Sequence, residues 1–473
     1  MKMKSTAVML ALVAAVAQPR PAAAAITVNY ALRGTLGFQA DGDPTLGNGG
    51  DAQTVFLNLA PRALIEFNPD WAGYIRGRAF VPSGSIQPFD SSTPNNATGR
   101  TRSFVGLSEL WLQYNGLTSY PGEAVSFGRQ HVRQIGNEWF DEDLDSARWL
   151  FDTTLRNIDV GVAHQFSTYR SDDAPIIAEQ RRRTYLFGNL ALQWLPGQRV
   201  GTRVVHAIDN GHAPDVGSAV TGNSKLRNSQ LSWIGVYADN GFYDALGREK
   251  LNYWIEFNSV IGDQTVANPG AGNIVATRAH ENVTAYSGTG GGRWRPFTQV
   301  PISLGALYTY SSGGGGAGHS HQYQQTGVQS NASTFAGTQT LINRYNETLR
   351  AELGNLRIAT GFVALNFDND DVAAVFSNFS RNDGGAPIVT DNVTAATVNN
   401  GADIGNGFDV VATHYFGRVL RRQRLLSSGD AFVSQERRSL ISIRASAFAP
   451  GSAYGPNSKT DYRVLLEATL WLN

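Results

Sequence analysis

Cysteine does not occur among the 473 residues of this chain, and methionine occurs only three times. The absence of cysteine excludes disulfides and thiolate metal sites, and it is compatible with an oxidising compartment in which a free thiol is a liability. Long apolar runs are also missing. Beyond residue 25 no stretch approaches about 18 consecutive apolar residues, so we expect no membrane-spanning helix. If this chain enters a membrane, it enters as β-strands.

The first 25 residues have the pattern of a secretory signal peptide. Lys2 and Lys4 precede an apolar run over 5–17, and Pro21 precedes small residues that end at Ala25. The run of about 13 residues is shorter than the roughly 20 that a membrane anchor requires. We therefore expect export and cleavage after Ala25, and we treat residues 26–473 as a single domain.

Lysine is scarce after the leader, where it occurs only at Lys225, Lys250 and Lys459. Without the three basic residues of the leader, 39 basic residues become 36, which against 39 acidic residues gives a net charge of −3. Almost every positive charge is therefore a guanidinium group, which binds carboxylates in a bidentate manner. A genomic preference for arginine codons explains the same bias equally well. Any positive field must be local.

Apolar and polar residues alternate along many segments, and 51 glycines separate them. In 251–258 the odd positions are apolar and the even positions mostly polar, and 29–39 and 461–473 follow the same rule. Each such strand has one face suited to lipid and one suited to water. The sequence therefore predicts an all-β fold, a transmembrane antiparallel outer-membrane β-barrel of about 18 strands.

Short and long connections also alternate, as in barrels with short inner turns and long outer loops. Short connections are expected at 68–70, 195–198 and 295–296. The long polar connections are expected at 40–53, 81–101, 170–183, 209–228, 262–282, 311–340 and 382–405. Segment 342–366 is either two strands around Gly354 and Asn355 or one bulged strand; an even strand number favours the bulge. A barrel of this width leaves an aqueous channel.

One expected periplasmic connection, 417–438, is far longer than the other inner turns. It contains several arginines, among them Arg418, Arg421, Arg422 and Arg424. We interpret it as a periplasmic gate loop. The alternative is a solvated basic turn that helps to orient the barrel.

Several segments together closely resemble the alginate-export outer-membrane porin family, in order and over essentially the whole mature chain. They are 111–129 (WLQYNGLTSYPGEAVSFGR), 151–155 (FDTTL), 169–172 (YRSD), 251–254 (LNYW), 324–331 (QQTGVQSN), 352–356 (ELGNL) and 448–456 (FAPGSAYGP). The resemblance implies a monomeric 18-stranded barrel that passes a polyuronate chain out of the periplasm. It also implies a lumen ringed with basic residues, a periplasmic loop over the inner mouth and an extracellular loop over the outer one.

The resemblance also implies which residues line the pore. Basic positions of the family match or fall near Arg33, Arg62, Arg350 and Arg444, and acidic ones fall at or near Glu109, Asp141, Asp172 and Glu467. His131, Leu341 and Ser442 stand where arginine is expected. Strand parity adds Arg344 beside Arg350, and Arg129 and Arg133 beside His131. For any single inward arginine, a structural salt bridge is an equally good interpretation.

The function expected from these residues is export of an anionic exopolysaccharide, alginate or a related uronate-containing polymer, across the outer membrane of a Gram-negative bacterium. An uptake or general porin for small anions or oligosaccharides is the alternative. A barrel hydrolase is more remote, because G-x-S-x-G, H-E-x-x-H and P-loop motifs are missing. We therefore expect no catalysis and no cofactor. The expected partners are acidic polysaccharide, outer-membrane lipid, the outer-membrane assembly machinery and a periplasmic scaffold of a synthase–export complex, with no nucleic acid.

Two smaller groups of residues invite a metal-site hypothesis. His319 and His321 form an H-x-H pair in a glycine-rich loop, and acidic residues cluster at 141–145 and at 368–371. Carboxylates suit calcium, but neither acidic cluster has the spacing of a known calcium loop. We interpret both clusters as solvated acidic loops and expect no metal site.

Overall fold

The fold is taken from a computed structural model, which describes residues 26–43, 45–47, 51–84, 103–120, 122–133, 139–172, 174–178, 180–221, 224–243, 249–297, 300–331, 346–367, 369–390, 393, 395–416 and 439–472. The predicted leader lies outside these residues, as do Leu341 and Arg344. The predicted gate loop 417–438, with Arg418, Arg421, Arg422 and Arg424, lies outside them as well.

The described residues form strands joined by loops and two short 3₁₀ turns. The strands are β1 (Thr27–Asp41), β2 (Ala52–Asn68), β3 (Trp71–Pro82), β4 (Phe104–Tyr114), β5 (Glu123–Arg133), β6 (Asp141–Asp152), β7 (Arg156–His164), β8 (Arg183–Leu195), β9 (Gln198–Asp209), β10 (Arg227–Tyr243), β11 (Glu249–Pro269), β12 (Val275–Trp294), β13 (Ile302–Ser311), β14 (Gly315–Gly316), β15 (His319–Ser320), β16 (Leu356–Asn366), β17 (Asp370–Arg381), β18 (Asp403–Phe416), β19 (Ser439–Pro450) and β20 (Asp461–Leu472). The 3₁₀ turns are Ala271–Asn273 and Ser452–Tyr454. In the described part of the chain, no helix has the length and apolar character needed to cross a membrane.

Eighteen of these strands close into a barrel, while the two-residue strands β14 and β15 lie within the loop between β13 and β16. Each barrel strand pairs antiparallel with the next along the chain, and β13 pairs with β16. The last strand returns to the first, with Leu472 opposite Leu32 and Arg463 opposite Asp41. The predicted closed antiparallel barrel of about 18 strands is confirmed.

Alternation along each strand separates a lipid face from an inner face. In β20, Tyr462, Leu466 and Leu470 are 45–59% exposed on the outside, whereas Arg463 and Leu465 are buried inside. Side chains of successive residues point to opposite faces of a strand, so this period-2 pattern alone sets which residues meet the membrane. Ring pairs such as Trp71–Tyr114, with centroids 4.7 Å apart, lie at the end of the barrel that has the short turns.

The prediction of a long loop over 262–282 is wrong. Strands β11 and β12 continue through this segment and pair as far as Pro269 opposite Val275, where the 3₁₀ turn joins them. The hairpin is longer than most others in the barrel. The end of the hairpin formed by 262–282 extends beyond the length needed to span a bilayer. Both of its faces are therefore mostly polar, and the alternation of apolar and polar residues disappears there. The sequence signal for a strand was therefore lost before the strand ended.

The prediction of one bulged strand over 342–366 is also wrong, although the strand number that it supported is right. Strand β16 begins only at Leu356, and the described residues 346–355 form a loop with a turn at 347–349. Leu349 and Leu353 are buried on one side of this loop, and their spacing imitates a strand. A loop that packs one side against a wall produces the same pattern as an amphipathic strand.

The loop between β13 and β16 crosses the lumen. On one side, Trp233 of β10 donates from Nε1 to the carbonyl of Gln324 at 2.7 Å. On the other, Asn346 donates from Nδ2 to Asp409 of β18 at 2.9 Å, and Thr348 hydrogen-bonds Ser446 of β19 at 3.0 Å. Strands β10 and β18 lie six barrel strands apart, about a third of the circumference of the eighteen-stranded barrel. The loop is therefore a bridge across the interior.

The hairpin of β5 and β6 leaves the wall at its extracellular end. Gly128 has φ +120°, and a Cβ there would lie 2.3 Å from the carbonyl oxygen of Leu110, so glycine permits the bend. Strands β4 and β5 pair only between 110–114 and 125–129. Beyond that point β4 pairs instead with the β7–β8 loop, through the bridge of Gly106 to Arg170. The free end of the hairpin consequently lies inside the barrel.

One face of this hairpin packs on the inner wall. The ring of Phe140 lies 5.6 Å from that of Tyr185 and 5.2 Å from that of Phe187, both on β8. These rings belong to a large buried apolar cluster that also includes Trp139 and Leu349. The cluster joins the hairpin to the crossing loop. Together they occupy part of the lumen, where they contact β8 and β10 on one side and β18 and β19 on the other.

Candidate functional site

The inner face of strands β1, β2 and β19 carries arginines. Arg33 of β1 lies opposite Ala60 and Trp471, and Arg62 of β2 lies opposite Ala31. The Arg62 guanidinium carbon is 4.5 Å from the ring centroid of Trp471, a cation–π contact that holds it against the wall. Arg33 is half-buried and has no salt bridge to any described carboxylate. This part of the wall therefore presents positive charge toward the pore.

Arg444 of β19 joins the arginines of the wall to the crossing loop. Its nitrogens lie 3.6 Å from Glu347 Oε1 of the loop and 3.9 Å from Glu467 Oε2 of β20. Glu347 is 1% exposed and also forms a salt bridge with Arg350, three residues along the loop. The Arg444 side chain stays 28% exposed, and these two carboxylate contacts are longer than those of the tightly paired arginines.

The inward hairpin brings an acidic group to the edge of the same space. Arg76 of β3 contacts Glu109 Oε1 and Asp143 Oδ1, each at 3.0 Å. The ring of His131 lies between two carboxylates, with Nδ1 2.8 Å from Asp143 and Nε2 3.0 Å from Asp141. In this group the three carboxylates outnumber the two basic side chains that they contact. The group therefore adds no positive excess to the passage.

Two further candidates lie in or near the β7–β8 loop. Arg129 donates from Nε to the Leu107 carbonyl at 3.1 Å, and its guanidinium lies 4.6 Å from the ring of Tyr169. Burial raises the pKa of Tyr169 to about 12, so its ring stays neutral. Asp172 accepts two hydrogen bonds from Arg170, at 3.0 and 2.6 Å. Both residues hold the loop that replaces β5 in the wall.

Several other inward arginines form close salt bridges to carboxylates on other strands. The pairs, at up to 2.7 Å, are Arg148–Asp159, Arg199–Asp239, Arg203–Glu256 and Arg463–Asp41. For these residues the structural interpretation of an inward arginine is right. Arg33 differs from them, because it has no salt bridge to a described carboxylate. Arg62 stacks on Trp471, and the carboxylate contacts of Arg444 to Glu347 and Glu467 are longer.

Comparison with known proteins gives the relationship of this chain. The model of the alginate export family matches residues 25–464. The chain belongs to this family. It is 33% identical over 457 residues to the alginate production protein AlgE of Pseudomonas aeruginosa, covering 94% of this chain and 91% of that protein. It is 30% identical to AlgE of Pseudomonas syringae pv. tomato, covering 92% of each chain.

Solved structures of porins share the fold of this family member. The OccAB1 structure from Acinetobacter baumannii superimposes with a TM-score of 0.56 at 11% identity, covering 94% of this chain and 97% of that one. The OpdK structure with vanillate from Pseudomonas aeruginosa gives a TM-score of 0.52 at 9% identity, covering 95% and 99%. The chain is thus an outer-membrane export channel of the alginate export family in a Gram-negative bacterium. The alternative of an uptake porin is not favoured.

Placing the predicted residues on this family fold separates them into three groups. Arg33, Arg62, Arg444 and Glu467 lie inward on neighbouring strands, and Arg350 joins them through Glu347. The second group lies on the inward hairpin, on β4 or in the β7–β8 loop, and consists of Glu109, Arg129, His131, Arg133, Asp141 and Asp172. Arg344 and the four gate arginines, the third group, lie outside the described residues.

Sequence reasoning missed three charged residues that connect these groups, Arg76, Asp143 and Glu347. Arg76 alternates with exposed Ile75, and that parity was sufficient to place it inward. Glu347 lies in a loop, where no period exists to reveal its direction. The interpretation of 141–145 as a solvated acidic loop is wrong, because these residues form the start of β6 and pair with β5. Asp370 and Asp371 likewise belong to strand β17.

Two of the three positions at which the family resemblance predicts arginine are described. His131 is held by Asp141 and Asp143 in the hairpin. Ser442 is 2% exposed on β19, and it accepts a hydrogen bond from Thr413 at 3.2 Å. Ser442 carries no charge. At position 131, a histidine between two carboxylates replaces the expected arginine. At these two described positions the lumen therefore lacks the guanidinium group that the family resemblance predicts.

Proposed function

We propose that an anionic exopolysaccharide, alginate or a related uronate-containing polymer, leaves the periplasm along the side of the lumen lined by Arg33, Arg62 and Arg444. The proposal is carried by Arg33, which has no salt bridge to a described carboxylate, in contrast to the tightly paired arginines elsewhere in the wall. Arg62 and Arg444 place two further guanidinium groups on the inner face of the same part of the wall. The crossing loop and the inward hairpin support the proposal, because they fill part of the lumen. A narrow passage keeps the chain of carboxylates within reach of the fixed charges.

The mechanism is facilitated passage along fixed charges. Guanidinium groups replace part of the hydration of each sugar carboxylate, and their planar fork suits bidentate contact. Glu347 and Glu467 beside Arg444 compete for the same guanidinium. This competition keeps each site shallow, so that a bound unit is released when the next one arrives. The thinned set of arginines suits a polymer with a lower charge density than alginate.

Replacing Arg33 and Arg62 together by glutamine is expected to weaken block of the channel by a uronate oligosaccharide about tenfold or more. A hydrogen bond to a charged group contributes roughly 1.5–3 kcal/mol, and about 1.4 kcal/mol corresponds to a tenfold change in affinity. Anion selectivity should fall in the same variant. Both quantities are measured from single-channel currents in planar bilayers, with a mannuronate hexasaccharide as the blocker.

Arg156→Gln is the control, because it makes the same type of substitution at an exposed position at the start of β7. Its block and selectivity should equal those of the unmodified channel. If the R33Q/R62Q channel is blocked as tightly as the control, the polymer does not use this side of the lumen, and the proposed route is wrong.

We retain the interpretation of 417–438 as a periplasmic gate as a proposal. Its support is the length of this connection between β18 and β19, where the other described connections at that end are short. Deleting 418–437, which removes Arg418, Arg421, Arg422 and Arg424, should raise single-channel conductance and the fraction of time spent open. Equal conductance in the shortened and full channels would contradict a gating role and favour a solvated basic turn.

Export and assembly complete the proposal. Cleavage of residues 1–25 predicts a mature chain that begins at Ile26, which N-terminal sequencing tests. The alternating face of β20 supports recognition by the outer-membrane assembly machinery and contact with outer-membrane lipid. Closure of the sheet between β1 and β20 leaves no edge strand, which supports a monomer. A periplasmic scaffold of a synthase–export complex would deliver the polymer, and neither catalysis nor a nucleic acid enters this scheme.

A further inference from the structure

A cavity lies at the extracellular end of the lumen, apart from the three arginines of the proposed route. It is bounded by the ends of β3 and β4, the inward hairpin and the β7–β8 loop. Its lining includes Arg78, Phe104, Arg129, Gln165 and Arg170. Its empty space, including the open mouth, is about 590 Å³. The bend at Gly128 creates this cavity, since it moves β5 away from β4.

Two polar side chains that line the cavity have hydrogen-bonding capacity that no described residue uses. Gln165 is 7% exposed, and its Oε1 accepts no hydrogen bond. The Arg170 side chain is also 7% exposed, and its Nη1 donates none. A buried polar group without a partner costs roughly 1–3 kcal/mol. A ligand that pairs with both groups would recover that cost.

Arg170 is held rigidly, which makes the unused donor a positioned one. Its Nε and Nη2 donate to Asp172 at 3.0 and 2.6 Å. Its guanidinium carbon lies 3.6 Å from the ring centroid of Phe104. Asp172 and Phe104 together occupy the edge and one face of the guanidinium. Only the Nη1 side is left for a further contact, and the side chain needs little reordering to make it.

The charges of the lining indicate the chemistry of the ligand. Arg78, Arg129 and Arg170 are opposed by Glu142 and Asp143 of the lining and by Asp172, which pairs with Arg170, so the charges around the cavity are balanced. An unused donor and an unused acceptor in one cavity match a hydroxyl-bearing ligand, because a hydroxyl group both accepts and donates. A charge-balanced site with these two groups fits a sugar unit better than it fits a small dense anion.

We propose that this cavity is a saccharide subsite that holds one uronate unit of the polymer where the chain leaves the lumen. This inference rests on the proposed function. Gln165 accepts from a sugar hydroxyl, and Arg170 donates through its unused Nη1 to an oxygen of the uronate carboxylate. The subsite adds a second resting position to the passage, on the extracellular side of the crossing loop.

Two variants test the subsite with a mannuronate hexasaccharide added from the extracellular side. Gln165→Leu removes an acceptor that has no protein partner, so the thermal stability of the barrel should stay equal or rise while the dwell time of block falls about fivefold. Arg170→Gln should shorten the dwell time about tenfold or more. Neutral mannohexaose should respond to Gln165→Leu more than to Arg170→Gln, because it lacks the carboxylate.

Arg199→Gln is the matched control, since Arg199 forms the same two-bond contact with Asp239 outside the cavity. Its dwell times should be unchanged. If the unmodified channel is not blocked by the hexasaccharide at all, the proposed function fails. If it is blocked and both cavity variants behave like Arg199→Gln, or if a structure with the hexasaccharide shows only water at Gln165 and Arg170, the subsite is refuted and the proposed function stands.

Discussion

A channel that lacks residues 324–353 is expected to conduct several-fold more current than the full channel. The segment contains the part of the loop that crosses between β10 and β18, and an 18-stranded barrel without an internal obstruction leaves a wide aqueous pore. The two ends left by the deletion, Tyr323 and Gly354, are adjacent in space, since a Cβ built on Gly354 would lie 2.6 Å from the carbonyl oxygen of Tyr323. A short glycine linker can therefore rejoin them. Single-channel recording measures the change directly.

Loss of this loop should also abolish discrimination between a uronate hexasaccharide and a neutral one. The passage would no longer confine the polymer beside Arg33 and Arg62. A control deletion within the β9–β10 loop should change neither the conductance nor this discrimination. Ala213 of that loop packs on Ala267 and Val275 of the β11–β12 hairpin, and not across the lumen. Conductance that stays at the original level in the 324–353 deletion would show that the loop does not limit the pore.

A milder pair of substitutions guards against misfolding of the deletion. Asn346→Ala with Thr348→Ala removes the contacts to Asp409 and Ser446 but keeps the chain length. The loop end would then detach from β18 and β19 part of the time. We expect brief openings of higher conductance on the baseline of the unmodified channel. A steady baseline identical to that of the unmodified channel would mean that these contacts do not hold the loop in place.

Glu256→Gln is expected to lower the free energy of unfolding by about 3–5 kcal/mol. Glu256 pairs with Arg203, and the two side chains are 2% and 1% exposed. Removing one partner of a buried ion pair leaves an uncompensated charge, and this is the dominant cost. Urea unfolding of the purified barrel in detergent, followed by tryptophan fluorescence, measures the difference.

Replacing both Arg203 and Glu256 by leucine separates the cost of a lost ion pair from the cost of an orphaned charge. Exchange of a buried pair for apolar side chains is often neutral or stabilising, so the double variant should be more stable than Glu256→Gln. Arg203 also lies against the rings of Trp139 and Tyr237, at 5.3 and 4.8 Å, and leucine keeps part of that packing. A double variant as unstable as the single one would assign the effect to packing instead of charge.

Much of the barrel was predictable from sequence because the signal is local. Outward residues such as Tyr30, Leu36 and Leu466 alternate with inward ones in every strand read from the sequence, and the short turns follow directly. The inward positions of Arg33 and Arg444 follow from the same parity. The end of β11 and the true start of β16 were not predictable. In both places the environment on the two faces of the chain changes. The alternation of apolar and polar residues then no longer indicates whether the backbone forms a strand.

The alternation of apolar and polar residues determined by itself that this chain is an outer-membrane barrel with arginines inside it, since a strand spanning lipid must bury one face and wet the other. Only the tertiary structure decided which arginines remain open to a ligand. Arg203 and Arg33 are both inward, but Glu256 neutralises the first and no described carboxylate neutralises the second. The crossing loop and the inward hairpin depend on contacts between residues distant in sequence, such as Asn346 with Asp409, and no local period encodes those contacts.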